Sequence, residues 1–482
     1  MDSQTNETTI PDASVELHGV IRESMMDTRF PNEILSEFFI ASTPSPLKVP
    51  PPLRDTDLPW ALLRVCKKWR EVALKTPDLW NNVLLDYDEG SDMFISTNMY
   101  ERTLSAEKIL KRTKHTSISL KIKALGFYSI DEWQSRIFNL IISESLRIKS
   151  LTVHINISHL DPFLRLEQIP FPRLEYLSID DGHGINAIDM SGNIPSLLPS
   201  YEVTIWKNTP SLRSFYLGTN ISWKNNVTSI SWAQLTDITL RVTRLPIVEA
   251  HTMLRLCPNI VSLKITPGVL GNQNTAPVDE PVNLPNLTKL IAEFYCSNEL
   301  SIFLQPLVAP HLRNLSTRYP TFVYEELEWN SSLVDILARF TRLESLSFRD
   351  RAPINNIPAL LAALPSLKAL MLPNRAALSQ VDLTGISQGS LLPDLEILCC
   401  TIRPGSLKMH LEMLREREKS SGGSKKVFAI LNWYIDDQVD SSREQTSIME
   451  ENAELIEELQ RDGLLDLPPP GSVYSFSGGR IN

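Results

Sequence analysis

Gly385-Ile386-Ser387-Gln388-Gly389 matches the Gly-x-Ser-x-Gly turn that presents a nucleophilic serine, and Asp394 and His410 follow in the order of an acid–base pair for acyl transfer. That chemistry needs a helix starting straight after the serine. Ser390-Leu391-Leu392-Pro393-Asp394 supplies none of useful length, because proline breaks one. The expectation is a connecting turn between repeats. Asp180-Asp181-Gly182-His183-Gly184 offers oxygen and imidazole ligands for a cation, but it follows directly on an apolar strand pattern ending at Ile179 and reads as a turn. The eight histidines show no metal-ligand spacing, and there is no Cys-x-x-Cys pair. Gly422-Gly423-Ser424-Lys425 lacks the spacing of a phosphate-cradling loop. Asn-x-Ser/Thr triplets at Asn220 and Asn226 read as chance matches. The residues therefore predict no catalytic centre, no metal and no cofactor.

Binding is the remaining chemistry, and two regions are built for it. In the first, Leu62, Val65, Cys66, Trp69, Val72 and Ala73 recur at three- and four-residue steps and would form one helical stripe. Asp57 is a fitting N-cap and Pro59 suits a first turn, while Thr76-Pro77 ends the helix. Upstream, Pro31 opens a second helix whose Ile34, Leu35, Phe38 and Phe39 are placed on one face. Five prolines between Ser42 and Leu53 predict an extended loop between the two helices. Asp78-Leu79-Trp80 starts a further short apolar element.

Phe30-Pro31-Asn32-Glu33-Ile34-Leu35, then Leu62-Leu63-Arg64-Val65-Cys66-Lys67-Lys68-Trp69-Arg70, then Leu79-Trp80 resembles an F-box, with a proline-rich insertion at 41–56 where the family has a shorter segment. The phrase Trp69-Arg70-Glu71-Val72-Ala73-Leu74 with Thr76-Pro77 and Leu79-Trp80 is similar to F-box proteins of mushroom-forming fungi. The resemblance implies docking of the small Skp adaptor, and through it a cullin–RING ubiquitin ligase. It points to Pro31, Ile34, Leu35, Leu62, Val65, Cys66 and Trp69 as the contact residues. Some of these, Trp69 and Val72 above all, could instead form the unit's own small core. A unit this small cannot bury all its apolar surface alone, so a leftover stripe covered by a partner is expected.

The second region is periodic. An apolar residue, another three later and a third two beyond recur from starts at 148, 174, 212, 235, 260, 287, 312, 343, 367 and 395, often with proline two before the start. The last two apolar positions alternate along a short strand and point inward. Helical stretches such as 247–254, 333–340 and 357–364 lie between. This resembles the leucine-rich repeat family in irregular form. Its usual Asn or Cys is matched by Asn156 and Asn220 but replaced by Gly182, Gly268, Pro320, Arg351 and Arg375 elsewhere. The resemblance implies an α/β solenoid, with parallel strands on its concave side and helices on its convex side. Exposed positions between the leucines are Glu175, Arg213, Ser262, Lys289, Arg313, Glu344, Lys368 and Glu396, of which Arg213, Lys289, Arg313, Glu344 and Lys368 are the target-binding choices. Their mixed signs predict no single charge preference.

The chain of 482 residues thus divides into a loose 1–27, an F-box-like 28–90, a solenoid 91–403, a cap 404–466 and a loose tail 467–482. In the cap, 406–418 reads as a helix, 427–433 as a last strand and 447–459 as an acidic amphipathic helix. Hydrophobic residues make up 42%, which excludes wholesale disorder, and the net charge of −10 argues against a nucleic-acid partner. Eleven acids and two arginines between Asp436 and Asp466 carry most of that charge, as a solvated face or as a contact for a basic partner. Five scattered cysteines, a polar start and the absence of a long apolar run predict a soluble protein of the cytoplasm or nucleus, free of membrane. The combined expectation is a non-enzymatic substrate receptor of an SCF-type ligase. The alternative is a repeat scaffold outside ubiquitination whose N-terminal helices only cap the solenoid.

Overall fold

The repeats from Leu174 onward begin with the same four-residue turn. The amide of Leu174 donates to the Phe171 carbonyl at 3.2 Å, Ile260 to Cys257 at 3.3 Å, Leu287 to Leu284 at 3.2 Å and Leu395 to Leu392 at 3.1 Å. Proline occupies the second place of these turns (Pro172, Pro258, Pro285 and Pro393), where its fixed φ suits the geometry and its missing N–H costs nothing. The residue before it, such as Phe171, Cys257 or Leu284, is buried. This explains the recurring proline: it reverses the chain from the helical layer into the next strand.

The computed structural model describes residues 30–43, 46–49, 58–87, 95–124, 131–155, 160, 163–164, 169–181, 207–219, 230–268, 280–294, 297–318, 331–349, 357–372, 376–420, 426–433 and 442–469. The strands are β1 (Leu47–Val49), β2 (Asn82–Asp86), β3 (Ile118–Ala124), β4 (Ile148–Ile155), β5 (Tyr176–Asp180), β6 (Ser214–Gly218), β7 (Asp237–Pro246), β8 (Ser262–Gly268), β9 (Val282–Asn283), β10 (Lys289–Glu293), β11 (Leu307–Val308), β12 (Asn314–Arg318), β13 (Ser345–Arg349), β14 (Ala369–Met371), β15 (Ile397–Ile402), β16 (Phe428–Trp433) and β17 (Leu465–Asp466). All but β9 and β11 join one fifteen-stranded sheet in sequence order, and each pairing is parallel. β9 and β11 form a separate two-stranded sheet.

The architecture is therefore α/β and solenoid-like. Leu177 pairs with Phe215, Leu290 with Leu315 and Leu370 with Leu398, so equivalent apolar residues stack from strand to strand. They share one continuous core with helical residues such as Met253, Leu254, Phe303 and Leu361. Each fully buried side chain of this kind contributes about 1.5–3 kcal/mol.

Several expectations need correction. The sheet starts at Leu47, three strands before the first repeat at Ile148. The proline-rich loop contains β1, a three-residue edge strand that is itself free of proline. The stretch 62–73 is two helices, α2 (Leu62–Val65) and α3 (Lys67–Lys75), because Cys66 is extended at φ −157° and ψ 173°. Ile34 and Phe38 do not share a face with Leu35 and Phe39 on α1 (Asn32–Ser42): the first two are exposed and the second two buried. The strand at 428–433 is followed by β17 and so is not the last. The acidic helix is two helices, Ser442–Glu451 and Ala453–Arg461. Residues 1–27 and 470–482 lie outside the described residues.

Candidate functional site

Two surfaces gather the residues that sequence reasoning singled out. At the N-terminal end, Cys66 Sγ accepts the Trp69 amide at 3.4 Å and so caps α3. Val72 and Ala73 on α3 face inward. The Trp80 indole N–H donates to the Ala73 carbonyl at 2.9 Å, and its ring meets Trp60 edge-on at 5.5 Å. Trp69 packs against Phe39 with ring centroids 5.0 Å apart. Leu35 and Leu62 are buried in the same core as β2 and β3. Of the seven expected contact residues, those two are structural, and Cys66 and Trp69 are half-buried and occupied with their own unit.

Pro31, Ile34 and Val65 are exposed. Phe30 and Phe38, named in the sequence pattern but not among the expected contact residues, are exposed as well. Phe30 lies just before the helix begins, and Ile34 and Phe38 stand one helical step of four apart on α1, a spacing visible in the sequence. Their exposures are 42%, 52% and 61%, with Val65 at 52%. Exposed large apolar side chains that form one patch mark a surface meant for a partner. Lys68 Nζ donates to the Phe30 carbonyl at 3.0 Å and ties the start of this stripe to α3.

The second surface is the open face of the sheet, where alternate strand residues face away from the core. Along its leading edge each repeat passes an amide to the carbonyl before it: Arg213 to Glu175, Glu344 to Arg313, Lys368 to Glu344 and Glu396 to Lys368, at 2.7–2.9 Å. Glu344 accepts Arg313 and Lys368, both at 3.4 Å. Arg213 lies apart, its guanidinium donating to the Gln234 carbonyl at 3.0 Å. Ser262 and Lys289 stand one residue further in, on the strands themselves, directly paired in register.

Lys289, Glu344 and Lys368 line a groove of about 470 Å³ on this face. Lys264, Glu293 and Arg318 line it too and were missed. Strand alternation alone would have placed Lys264 there, one step beyond Leu263. The Glu293 carboxylate is 2% exposed and is held by Lys264 at 3.3 Å and Arg318 at 3.8 Å. Further along, the Tyr216 hydroxyl donates to Asp180 at 2.9 Å; burial and that carboxylate push its pKa up to about 12. His154 is held below the ordinary imidazole value by burial, partly offset by Asp180.

Ser387 closes the last turn of a helix, its hydroxyl donating to Thr384 at 2.9 Å. The His410 ring is spent on the Ser406 carbonyl at 2.8 Å. Asp180 ends β5, and Gly182, His183 and Gly184 lie outside the described residues. Among the described residues no cluster of His, Cys, Asp and Glu could hold a metal ion, and Cys66, Cys257, Cys399 and Cys400 are free thiols. Among them, too, no helix is long and apolar enough to cross a membrane. Compared with known proteins, the chain matches no family model and shows no significant similarity to any curated protein.

Proposed function

We propose that this chain is the substrate-recognition subunit of an SCF-type ubiquitin ligase. Its N-terminal helices dock a Skp-type adaptor, and its open sheet face holds a target protein. The observation that carries the reading is the exposed apolar stripe of Phe30, Ile34 and Phe38, with Val65, on a helical unit whose other side is already sealed. The motif residues that resemble an F-box supply both halves of that arrangement. Such a receptor does no chemistry of its own. It accelerates transfer by holding the target beside a charged enzyme, converting a bimolecular encounter into a local one.

The test is co-purification of the full chain with a Skp-type adaptor. Ile34→Glu and Val65→Glu each cost adaptor binding about 2 kcal/mol or more, roughly 30-fold in Kd. Both leave the stability of the chain within about 0.5 kcal/mol, since the side chains are already in water. Leu62→Ala instead destabilises the chain by about 2–5 kcal/mol. Wild-type protein that ignores the adaptor overturns the proposal.

A second reading rests on β1, which lies between α1 and α2 in the chain and pairs with β2. That continuity suits a cap that only closes the solenoid, in a scaffold outside ubiquitination. It predicts full stability and target binding with no adaptor capture.

A further inference from the structure

Beyond its mere presence, the groove on the open face has a graded chemistry. The register aligns Lys289, Asn314, Ser345, Ala369 and Ile397 in one row across β10, β12, β13, β14 and β15. A parallel row runs from Lys264 through Ile291, Ser316 and Ser347 to Met371. The first row passes from cation through small polar side chains to apolar ones; the second does the same except that Ile291 stands beside Lys264.

The cations of the groove, Lys264, Lys289 and Arg318 towards one end and Lys368 beside Ala369 at the other, are not neutralised internally. Lys264 and Arg318 share the single carboxylate of Glu293, and Arg313 and Lys368 share that of Glu344. Lys289 is exposed and makes no ion pair among the described residues. The lining holds Lys264, Lys289, Arg318 and Lys368 against two carboxylates, in a chain whose net charge is −10. A positive groove on a negative protein selects an anionic ligand.

We propose that this groove binds an extended segment of a partner protein with acidic side chains at one end and a large aliphatic side chain at the other. The carboxylates sit by Lys289 and Lys264, small residues cross the serines, and the aliphatic residue rests on Ala369, Met371 and Ile397. From β10 to β15 there are four strand steps. At about 4.8 Å each these span roughly 19 Å, or about six residues of extended chain. The inference deepens the receptor reading by naming the class of target segment, and it rests on the open face being the target surface.

The experiment measures fluorescence anisotropy of labelled fourteen-residue Gly/Ser peptides, carrying a Glu-Glu pair and one Leu, against the full chain. Spacers of two and five residues separate the two features. The five-residue spacer binds at least fivefold tighter than the two-residue one, and a Lys-Lys pair in place of Glu-Glu abolishes binding. Lys289→Glu weakens the best peptide tenfold or more, while Lys149→Glu, remote and paired with Glu175 at 3.2 Å, leaves it unchanged. Ile397→Ser removes the advantage of Leu over Ser in the peptide. Equal binding of acidic and basic peptides, indifference to spacer length, or an unaffected Lys289→Glu overturns the inference. Adaptor capture is read on the same preparations. Peptide binding that fails while capture persists sinks the groove assignment alone. Capture that fails while the peptide binds sinks the ligase reading and leaves the groove.

Discussion

His251 shows how burial turns a titratable side chain into a pH-dependent strut. It is wholly buried and stacked on Phe303 at 5.5 Å, and its Nε2–H donates to the Phe303 carbonyl at 2.9 Å. That donation leaves Nδ1 as the unprotonated nitrogen, and Nδ1 has no partner. Burial pushes the pKa below 6.5, although the Phe303 bond works the other way. His410 is in the same state, its pKa lowered by burial and its Nε2 unpartnered. As pH falls below 6.5 the unfolded chain takes up protons that the folded chain refuses, so stability declines until the folded pKa is passed. Melting curves from pH 7.5 to pH 5 should show Tm falling below about pH 6.5, the unperturbed imidazole value. His251→Phe keeps the stack and removes part of that slope. An identical slope in the variant would refute the assignment. At this scale the sequence identified Trp69 and Leu62 as important, but their type alone did not tell inward from outward. Both are apolar residues on short helices, and only the position of the first strands decides which side is covered.

The recurrent element is the turn, and its lateral bonds replace the asparagine ladder that the sequence lacks. Ser211 Oγ donates to the Pro172 carbonyl at 2.7 Å, Asn259 Nδ2 to Ala233 at 2.8 Å, Asn286 Nδ2 to Pro258 at 3.3 Å and Ser366 Oγ to Thr341 at 3.3 Å. In each case the third turn residue reaches the second residue of the preceding turn. In these four repeats one polar side chain just before the first apolar residue of the repeat thus links it to its neighbour. Asn259→Ala should cost about 0.5–1.5 kcal/mol by denaturant titration, the worth of one partly exposed hydrogen bond. Asn286→Ala, whose bond is longer, should cost less. A neutral Asn259→Ala would show the lateral bonds to be incidental. The proline and the leucines of this element were legible in the sequence, because both act through local geometry and period. The lateral bonds were not, because their partners lie 25–39 positions away.

As a whole molecule the protein is an open sheet with two edges to protect. At the C-terminal edge β17 covers part of β16, Ile456 and Leu459 are buried, and the Trp433 indole N–H donates to the Pro468 carbonyl at 3.1 Å. Removing residues 442–469 would bare a six-residue strand with Leu431 and Trp433 on it. Such an edge templates pairing between copies, so the truncated chain should elute as oligomers or aggregates in size-exclusion chromatography with light scattering. A monodisperse monomer would contradict this account. At the other edge β1 comes from the segment whose five prolines predict an extended loop. The sequence by itself determined that the chain repeats, that its strands run parallel and that an apolar helical unit leads them. Period, turn residues and strand alternation are local properties, written in the order of side chains. Tertiary structure decided the rest: where the sheet starts, which half of the apolar N-terminal residues stays in water, and which charges meet in one groove. Those depend on the register between strands that lie tens of residues apart, and register is set by packing across the whole sheet.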